Sequence, residues 1–212
     1  MAVFIANVGV NAGHTARSPL FDDGSFRLLP IPECIKWRAP MLRLKDLPEL
    51  AEHAPESLAR IPVHLDPDFR SPVPTYGDNC RRAARAFALR KARANDLIVF
   101  LARLHPKSAP AAFYLVGELR IEAIVPDVTA DPGPGWWDAN AHVRRARATG
   151  EWDSFWIFKG GPGSGFYPKA RPFRREEAET LFSEPWLWRE NRSELQTIGS
   201  YTRSIRRLPG AE

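Results

Sequence analysis

Proline density is the feature that most limits how this chain can fold. Nine of its 20 prolines lie between Pro30 and Pro74. Proline fixes φ and lacks a backbone N–H, so it does not fit inside a helix or a central strand. Segment 30–75 is therefore predicted to be an ordered coil that wraps the core, with only short helical turns such as 47–52. Longer regular elements have to come from the flanking segments.

Apolar, β-rich segments on both sides of the proline-rich part indicate a sheet. Residues 2–10, AVFIANVGV, predict a buried first strand that leads into a polar loop. LIVFLARL at 97–104 and AFYLVGELRIEAIV at 112–125 predict an antiparallel pair, with a bulge or bend at Gly117. WDSFWIFK at 152–159 predicts a further strand.

Alanine-, leucine- and arginine-rich composition predicts a basic helix at 79–94, capped by Asp78, and a second helix at 138–148. Residues 173–208 are predicted to be a C-terminal helical segment. With the antiparallel strand pair, these elements predict the α+β fold class. We predict one domain over 1–212, with the proline-rich wrap and the C-terminal segment as extensions.

The formal net charge of +5 makes polyanions plausible partners. No apolar run approaches the roughly 20 residues of a membrane-spanning helix, so no membrane association is predicted. Two cysteines allow at most one disulfide, and a reducing cytoplasmic location is the expectation.

Two short motifs lie in neighbouring predicted strands: NDLIVF at 95–100 opens one strand, and VGEL at 116–119 lies in the next. Together they resemble PUA-like domains, the group that includes the ASCH, EVE and YTH families. The resemblance implies a small bent β-barrel at the centre of the chain.

A more particular resemblance covers nearly the whole chain. NVGVN at 7–11, SPLFDDGSF at 18–26 and PIPE at 30–33 are similar to the nucleotide modification associated domain family of the domain 3 type. This resemblance implies a role in the biology of modified nucleic-acid bases. It leaves open whether the chain reads such a base or acts on it.

The loop at 11–26 follows the first strand and concentrates polar side chains, as ligand-binding loops do. Arg17 is a candidate for holding phosphate, and Ser18 for donating to a ligand. The alternative is that Asp23 and Gly24 only build a turn that Asp22 caps. If the chain is an enzyme, the candidate acid and base residues are Asp22, Asp23, His14 and Glu33.

A base-binding pocket needs aromatic faces and a few polar groups. Trp136 and Trp137 follow the turn DPGPG at 131–135 and are predicted to line that pocket, with His142 nearby. Tyr76, Trp37 and Phe26 are weaker candidates, whereas Trp152, Trp156, Trp186 and Trp188 are predicted to be core. The full predicted ligand-binding set is Asn11, His14, Arg17, Ser18, Asp22, Ser25, Tyr76, Trp136, Trp137 and His142.

Basic side chains near these segments are candidates for nucleic-acid backbone contacts: Arg81, Arg82, Arg85 and Lys159. The alternative is an ordinary solvated surface. Lys159 precedes the glycine-rich GGPGSG, which is the reverse of the phosphate-loop order, so a turn or lid is predicted there.

No metal site and no cofactor are predicted. The five histidines show no i, i+4 pair and no cysteine-pair spacing. His64, Asp66 and Asp68 could ligate an ion, but Pro67 makes that stretch read as a simple extended loop.

The sequence thus predicts binding of a modified nucleobase or nucleotide, either in DNA or RNA or as the free nucleotide. The first alternative is an enzyme that acts on such a nucleotide, and the second is a protein-interaction scaffold. Turnover separates enzyme from reader, and an exposed apolar patch would favour the scaffold.

Overall fold

The computed structural model describes residues 1–34, 38, 42–182 and 185–209, so Trp37 lies outside the described residues. The strands are β1 Val3–Val8, β2 Pro19–Leu20, β3 Ile31–Pro32, β4 Val63–His64, β5 Thr75–Asn79, β6 Leu97–Pro106, β7 Ala112–Val128, β8 Phe155–Gly160, β9 Gly165–Pro172 and β10 Arg206–Arg207. The α-helices are α1 Pro48–Ala51, α2 Ala141–Thr149, α3 Arg175–Phe182 and α4 Glu194–Tyr201. Three 3₁₀ helices lie at Leu44–Asp46, Glu56–Leu58 and Phe87–Lys91.

Most strands form one large, mainly antiparallel sheet. Its order is β10-β1-β6-β7-β8-β5, with β2 added to β6 and β9 added to β7. The β1–β6 pair is parallel, and the β6–β7 pair is antiparallel with a register shift between Phe100 and Leu101, opposite Gly117. The predicted α+β class, antiparallel pair and bulge are confirmed.

The predicted PUA-like bent barrel is not confirmed. Among the described strands, the sheet path runs from β10 to β5 without these two ends pairing, so the sheet is not closed into a barrel. The described helices also include none that is long and apolar enough to cross a membrane.

Side chains alternate along each strand, so the sheet carries apolar residues on both faces. Each face is covered by other parts of the chain. Phe4 of β1 and Phe100 of β6 lie in the main core cluster on one face. Ile5 and Leu101, their sequence neighbours, pack with α3 and α4 on the other face. The proline-rich segment contributes a separate apolar cluster around Leu50, as expected of a wrap made of short turns.

The predicted basic helix at 79–94 is wrong. The chain is still strand up to Asn79, Ala83 has φ +68°, and only Phe87–Lys91 is helical, as a 3₁₀ helix. A 3₁₀ helix repeats every three residues. Buried positions of this segment recur with that spacing: Ala86, Leu89 and Ala92.

The predicted helical C-terminal segment is only partly right. Two helices form, α3 and α4, but the chain then returns to the sheet as β10 and pairs with β1. Ile205 is buried in the main core and holds this return.

Candidate functional site

Two adjoining hollows open beside the end of β1. The smaller, which we call the polar pocket, has a volume of about 170 Å³ and is lined mainly by His64, Asp66, Tyr76, Asp78, Arg85 and His142. The larger, which we call the arginine cleft, has a volume of about 340 Å³ and includes Asn11, Arg85, Arg103, Phe113, Gln196 and Arg203. Asn7, Gly9, Ile31 and Arg85 line both, so the two hollows adjoin, and we call them together the depression.

The turn at Gly9 lies in the wall that the two hollows share. Gly9 has φ +76°, a conformation that favours glycine, and a Cβ there would lie 2.6 Å from Leu28 Cδ1. Strand β1 ends just before this turn, at Val8. The chain therefore leaves the sheet where the two hollows meet.

A carboxylate lies between two imidazoles in the polar pocket. Asp66 Oδ2 is 3.5 Å from His142 Nε2 and 3.8 Å from His64 Nε2. The Gly77 N–H donates to Asp66 Oδ2 at 2.9 Å and fixes the carboxylate. We call these three side chains the His–Asp–His cluster.

The elements behind the cluster hold both rings in place. Glu33 Oε1 lies 3.1 Å from His64 Nδ1. Asn140 is fully buried and caps α2 by accepting from the His142 N–H at 3.0 Å, while its side chain donates to Thr75 Oγ1 at 3.2 Å. Helix α2 is thereby held against β5. His142, the second residue of α2, places its ring in the pocket.

The local electrostatics shift the pKa values of the two histidines in opposite directions. Burial would lower the pKa of His64, but its hydrogen bonds to Asp66 and Glu33 outweigh this and raise the pKa to about 9. Burial raises the pKa of Asp66 to about 6, against the opposing effect of His64. Burial, with the positive charges of His64 and Arg145, lowers the pKa of His142 well below its usual value.

A second set of polar side chains lines the same pocket, and we call it the Tyr–Asp–Arg group. Tyr76, only 2% exposed, donates from its hydroxyl to Asp78 Oδ2 at 2.7 Å. Arg85 Nε lies 3.0 Å from the same oxygen, and Arg85 Nη2 donates to the Asn7 carbonyl at 2.8 Å. Burial and then Asp78 raise the pKa of Tyr76 well above its usual value, so the phenol stays neutral.

Three guanidinium groups border the arginine cleft, from Arg85, Arg103 on β6 and Arg203 after α4. The Arg103 Nε atom is buried, and no hydrogen-bond acceptor in the described part of the chain reaches it. Burial is the main cause that lowers the pKa of Arg103, and the positive charge of Arg17 is the second. Three positively charged side chains around one cleft favour an anionic ligand.

Four of the sequence-predicted residues line the two hollows: Asn11, Tyr76, Arg85 and His142. Glu33, predicted as an acid or base, lies behind His64.

Other residues of the 11–26 loop form hydrogen bonds mainly within their own segment. His14 Nδ1 accepts from the Asn11 N–H, Arg17 donates to the His14 carbonyl, and Asp23 accepts from Ser25. Ser18 is buried and accepts from the Leu29 N–H, and Asp22 is part of the turn before Gly24.

Trp136 and Trp137 lie away from this loop, against α2 and β8. They pack on an apolar cluster that contains Val128, Val143 and Phe155, and Trp137 Nε1 donates to the Gly133 carbonyl at 2.9 Å. The linings of the two hollows include neither indole. Of the predicted backbone-contact residues, Lys159 pairs with Glu122, and Arg81 and Arg82 are exposed on the turn after β5.

Sequence reasoning missed Asp78, Arg103 and Arg203 as lining residues, and it considered His64 and Asp66 only as possible ion ligands beside Asp68. One usable signal was TYGDN at 75–79, where Tyr76 and Asp78 alternate and so share one strand face. The convergence of His64 with His142 had no local signal, because it depends on how α2 docks on β5.

Gly77→Ala is expected to destabilise the fold and distort the polar pocket. A Cβ on Gly77 would lie 2.6 Å from His142 Cδ2 and 3.0 Å from Asn140 Oδ1, so α2 would have to move. Such overpacking costs about 1–3 kcal/mol, measurable by urea unfolding. Gly165→Ala is the matched control because a Cβ there meets open space. Equal stability of the two variants would contradict the close approach of α2.

The fold and the two hollows define an α+β protein with a polar, arginine-rich depression that is lined by residues of both β1 and β5. The model of the family described as nucleotide modification associated domain 3 matches residues 2–209, and the chain belongs to this family. The resemblance seen in the sequence is thereby confirmed. No curated protein and no solved structure matches the chain.

Proposed function

We propose that the depression binds a nucleotide that carries a modified base. In this proposal the arginine cleft holds the phosphate, and the polar pocket holds the base with its modification. The observation that carries it is the position of three guanidinium groups directly beside a pocket of hydrogen-bonding side chains. Membership of a family associated with nucleotide modification supports the same reading.

Size and charge both fit this ligand. The arginine cleft alone, at about 340 Å³, reaches the range of about 300–1,000 Å³ that small-molecule sites occupy. Guanidinium groups recognise phosphate through paired hydrogen bonds. Asp66 and Asp78 can accept hydrogen bonds from a base edge, and the Tyr76 hydroxyl lies beside them.

The direct test is calorimetric titration of the protein with modified and unmodified nucleoside monophosphates, and with single-stranded DNA and RNA oligonucleotides that carry the same modifications. We expect saturable binding of one ligand per chain, with a preference for a modified base. Binding of polynucleotides should weaken with salt more steeply than binding of the monophosphate, because more phosphates are neutralised. Failure of every ligand to bind would contradict the proposal.

Arg103→Gln should weaken nucleotide binding in this titration, whereas Trp136→Ala should leave it nearly unchanged. The Arg103 substitution removes a charged donor, worth about 1.5–3 kcal/mol or roughly 10- to 150-fold in affinity. Trp136→Ala should change affinity by no more than about twofold, since a site outside the hollows couples weakly to the ligand. The reverse order would instead place the ligand at the indoles.

An enzymatic reaction on the modified nucleotide is the second candidate function. The observation that favours it is the carboxylate of Asp66, 4% exposed, held between two imidazoles that face a cavity. Incubation with modified nucleosides and nucleotides followed by mass spectrometry should then reveal a product that Asp66→Asn does not form. Return of every substrate unchanged would leave binding as the function.

A further inference from the structure

We propose that the His–Asp–His cluster binds one divalent transition-metal ion, in the class of Zn²⁺ and Fe²⁺, through His64 Nε2, a carboxylate oxygen of Asp66 and His142 Nε2. The inference deepens the proposed function, because the ion would lie in the pocket assigned to the modified base.

The spacing of the three donors suits a single ion. Ligand atoms at about 2.0–2.1 Å from a tetrahedral Zn²⁺ lie about 3.4 Å apart. The distances from Asp66 Oδ2 are 3.5 Å to His142 Nε2 and 3.8 Å to His64 Nε2. The donor atoms of the cluster all lie within 4.8 Å of one another, so only small side-chain movements bring them to one ion.

Contacts behind the cluster are those that orient metal ligands. A ligating histidine usually engages a carboxylate or backbone group through its other nitrogen. Glu33 Oε1 lies 3.1 Å from His64 Nδ1, which leaves Nε2 directed at Asp66. His142 is placed by its helix, because its main-chain N–H donates at 3.0 Å to the Asn140 side chain that caps α2.

The donor set selects the kind of ion. Ca²⁺ and Mg²⁺ prefer oxygen ligands, whereas imidazole suits Zn²⁺, Fe²⁺ and similar ions. The cluster offers three protein donors, and its pocket side opens on a hollow of about 170 Å³. Three protein ligands with an open position are typical of reactive rather than purely structural metal sites. A water molecule or a ligand atom can complete the coordination there.

The experiment is a competitive titration of untagged, chelator-treated protein with Zn²⁺ and a colorimetric indicator. We expect one tightly bound Zn²⁺ per chain and no competition by Ca²⁺. His142→Ala and His64→Ala should each weaken binding by at least about 100-fold, and Glu33→Gln by about 10- to 100-fold. His53→Ala is the matched control and should bind as the wild type does, because His53 lies outside both hollows.

Far-ultraviolet circular dichroism and thermal unfolding of each variant separate loss of a ligand from loss of the fold. Co²⁺ added to the wild-type protein gives a second measurement, because a four- or five-coordinate site produces strong visible absorption that Zn²⁺ then abolishes. Absence of bound Zn²⁺ in the wild type, or equal binding by wild type and His142→Ala, would overturn the proposal.

Nucleotide titration in excess chelator keeps this inference distinct from the proposed function. Wild-type protein that binds nucleotide but no Zn²⁺ overturns the metal site alone. Protein that binds Zn²⁺ at the cluster but no nucleotide overturns the proposed function alone.

Discussion

Arg85→Ala is expected to weaken nucleotide binding by about 2–5 kcal/mol, roughly 30- to 4,000-fold. Two effects act in the same direction. The substitution removes the guanidinium that lines both hollows. It also leaves Asp78 without the cation that lies 3.0 Å from its Oδ2, so an unpaired carboxylate would repel the incoming phosphate.

Further substitutions distinguish the loss of the guanidinium group from the effect of the unpaired Asp78 carboxylate. Arg85→Lys keeps the charge without the planar fork and should lose less affinity than alanine does. Combining Arg85→Ala with Asp78→Asn should recover part of the loss, because the repelling carboxylate is gone. Arg60→Ala, at an exposed arginine outside both hollows, is the control for net charge. An affinity for Arg85→Ala close to the wild-type value would contradict the phosphate assignment.

Phe100→Ala is expected to lower the free energy of unfolding by about 3–5 kcal/mol, the range for a fully buried phenylalanine. Phe100 has no exposed surface on β6, and its ring lies 5.2 Å from that of Tyr76 and 5.8 Å from that of Phe69. The cavity would form directly behind Tyr76. The substitution should therefore also loosen the Tyr–Asp–Arg group.

Urea unfolding monitored by fluorescence measures this loss. Phe87→Ala is the matched control, because Phe87 is 45% exposed and surface substitutions of this kind cost about 1 kcal/mol or less. Similar losses for the two phenylalanines would show that Phe100 is not part of the central packing.

The central strands were predictable because their signals are local. Residues 97–104 and 112–125 are apolar enough to be strands in any context, and they appear as β6 and β7. The segment 79–94 has equally strong helical composition, yet tertiary contacts prevail there. Arg85 is drawn to Asp78 and the Asn7 carbonyl, and Ala83 takes a left-handed conformation that an α-helix cannot contain.

The site was less predictable because its residues are distant in sequence. His64 and His142 meet edge to face, with 4.5 Å between ring centroids, although 77 intervening residues separate them. Only the docking of α2 on β5, where Gly77 leaves room for the His142 ring, brings them together. The indoles of Trp136 and Trp137 show the converse. A turn before two aromatic residues predicts exposure, but the apolar side of α2 gives them a packing surface.

The most direct test of the account is a crystal structure of the protein with the tightest-binding brominated nucleoside monophosphate, using the anomalous signal of bromine to locate the base. We predict bromine density in the polar pocket, near His64 and Asp66, and phosphate density within hydrogen-bond distance of Arg85 and Arg103. Density against Trp136 and Trp137, with neither hollow occupied, would contradict the account.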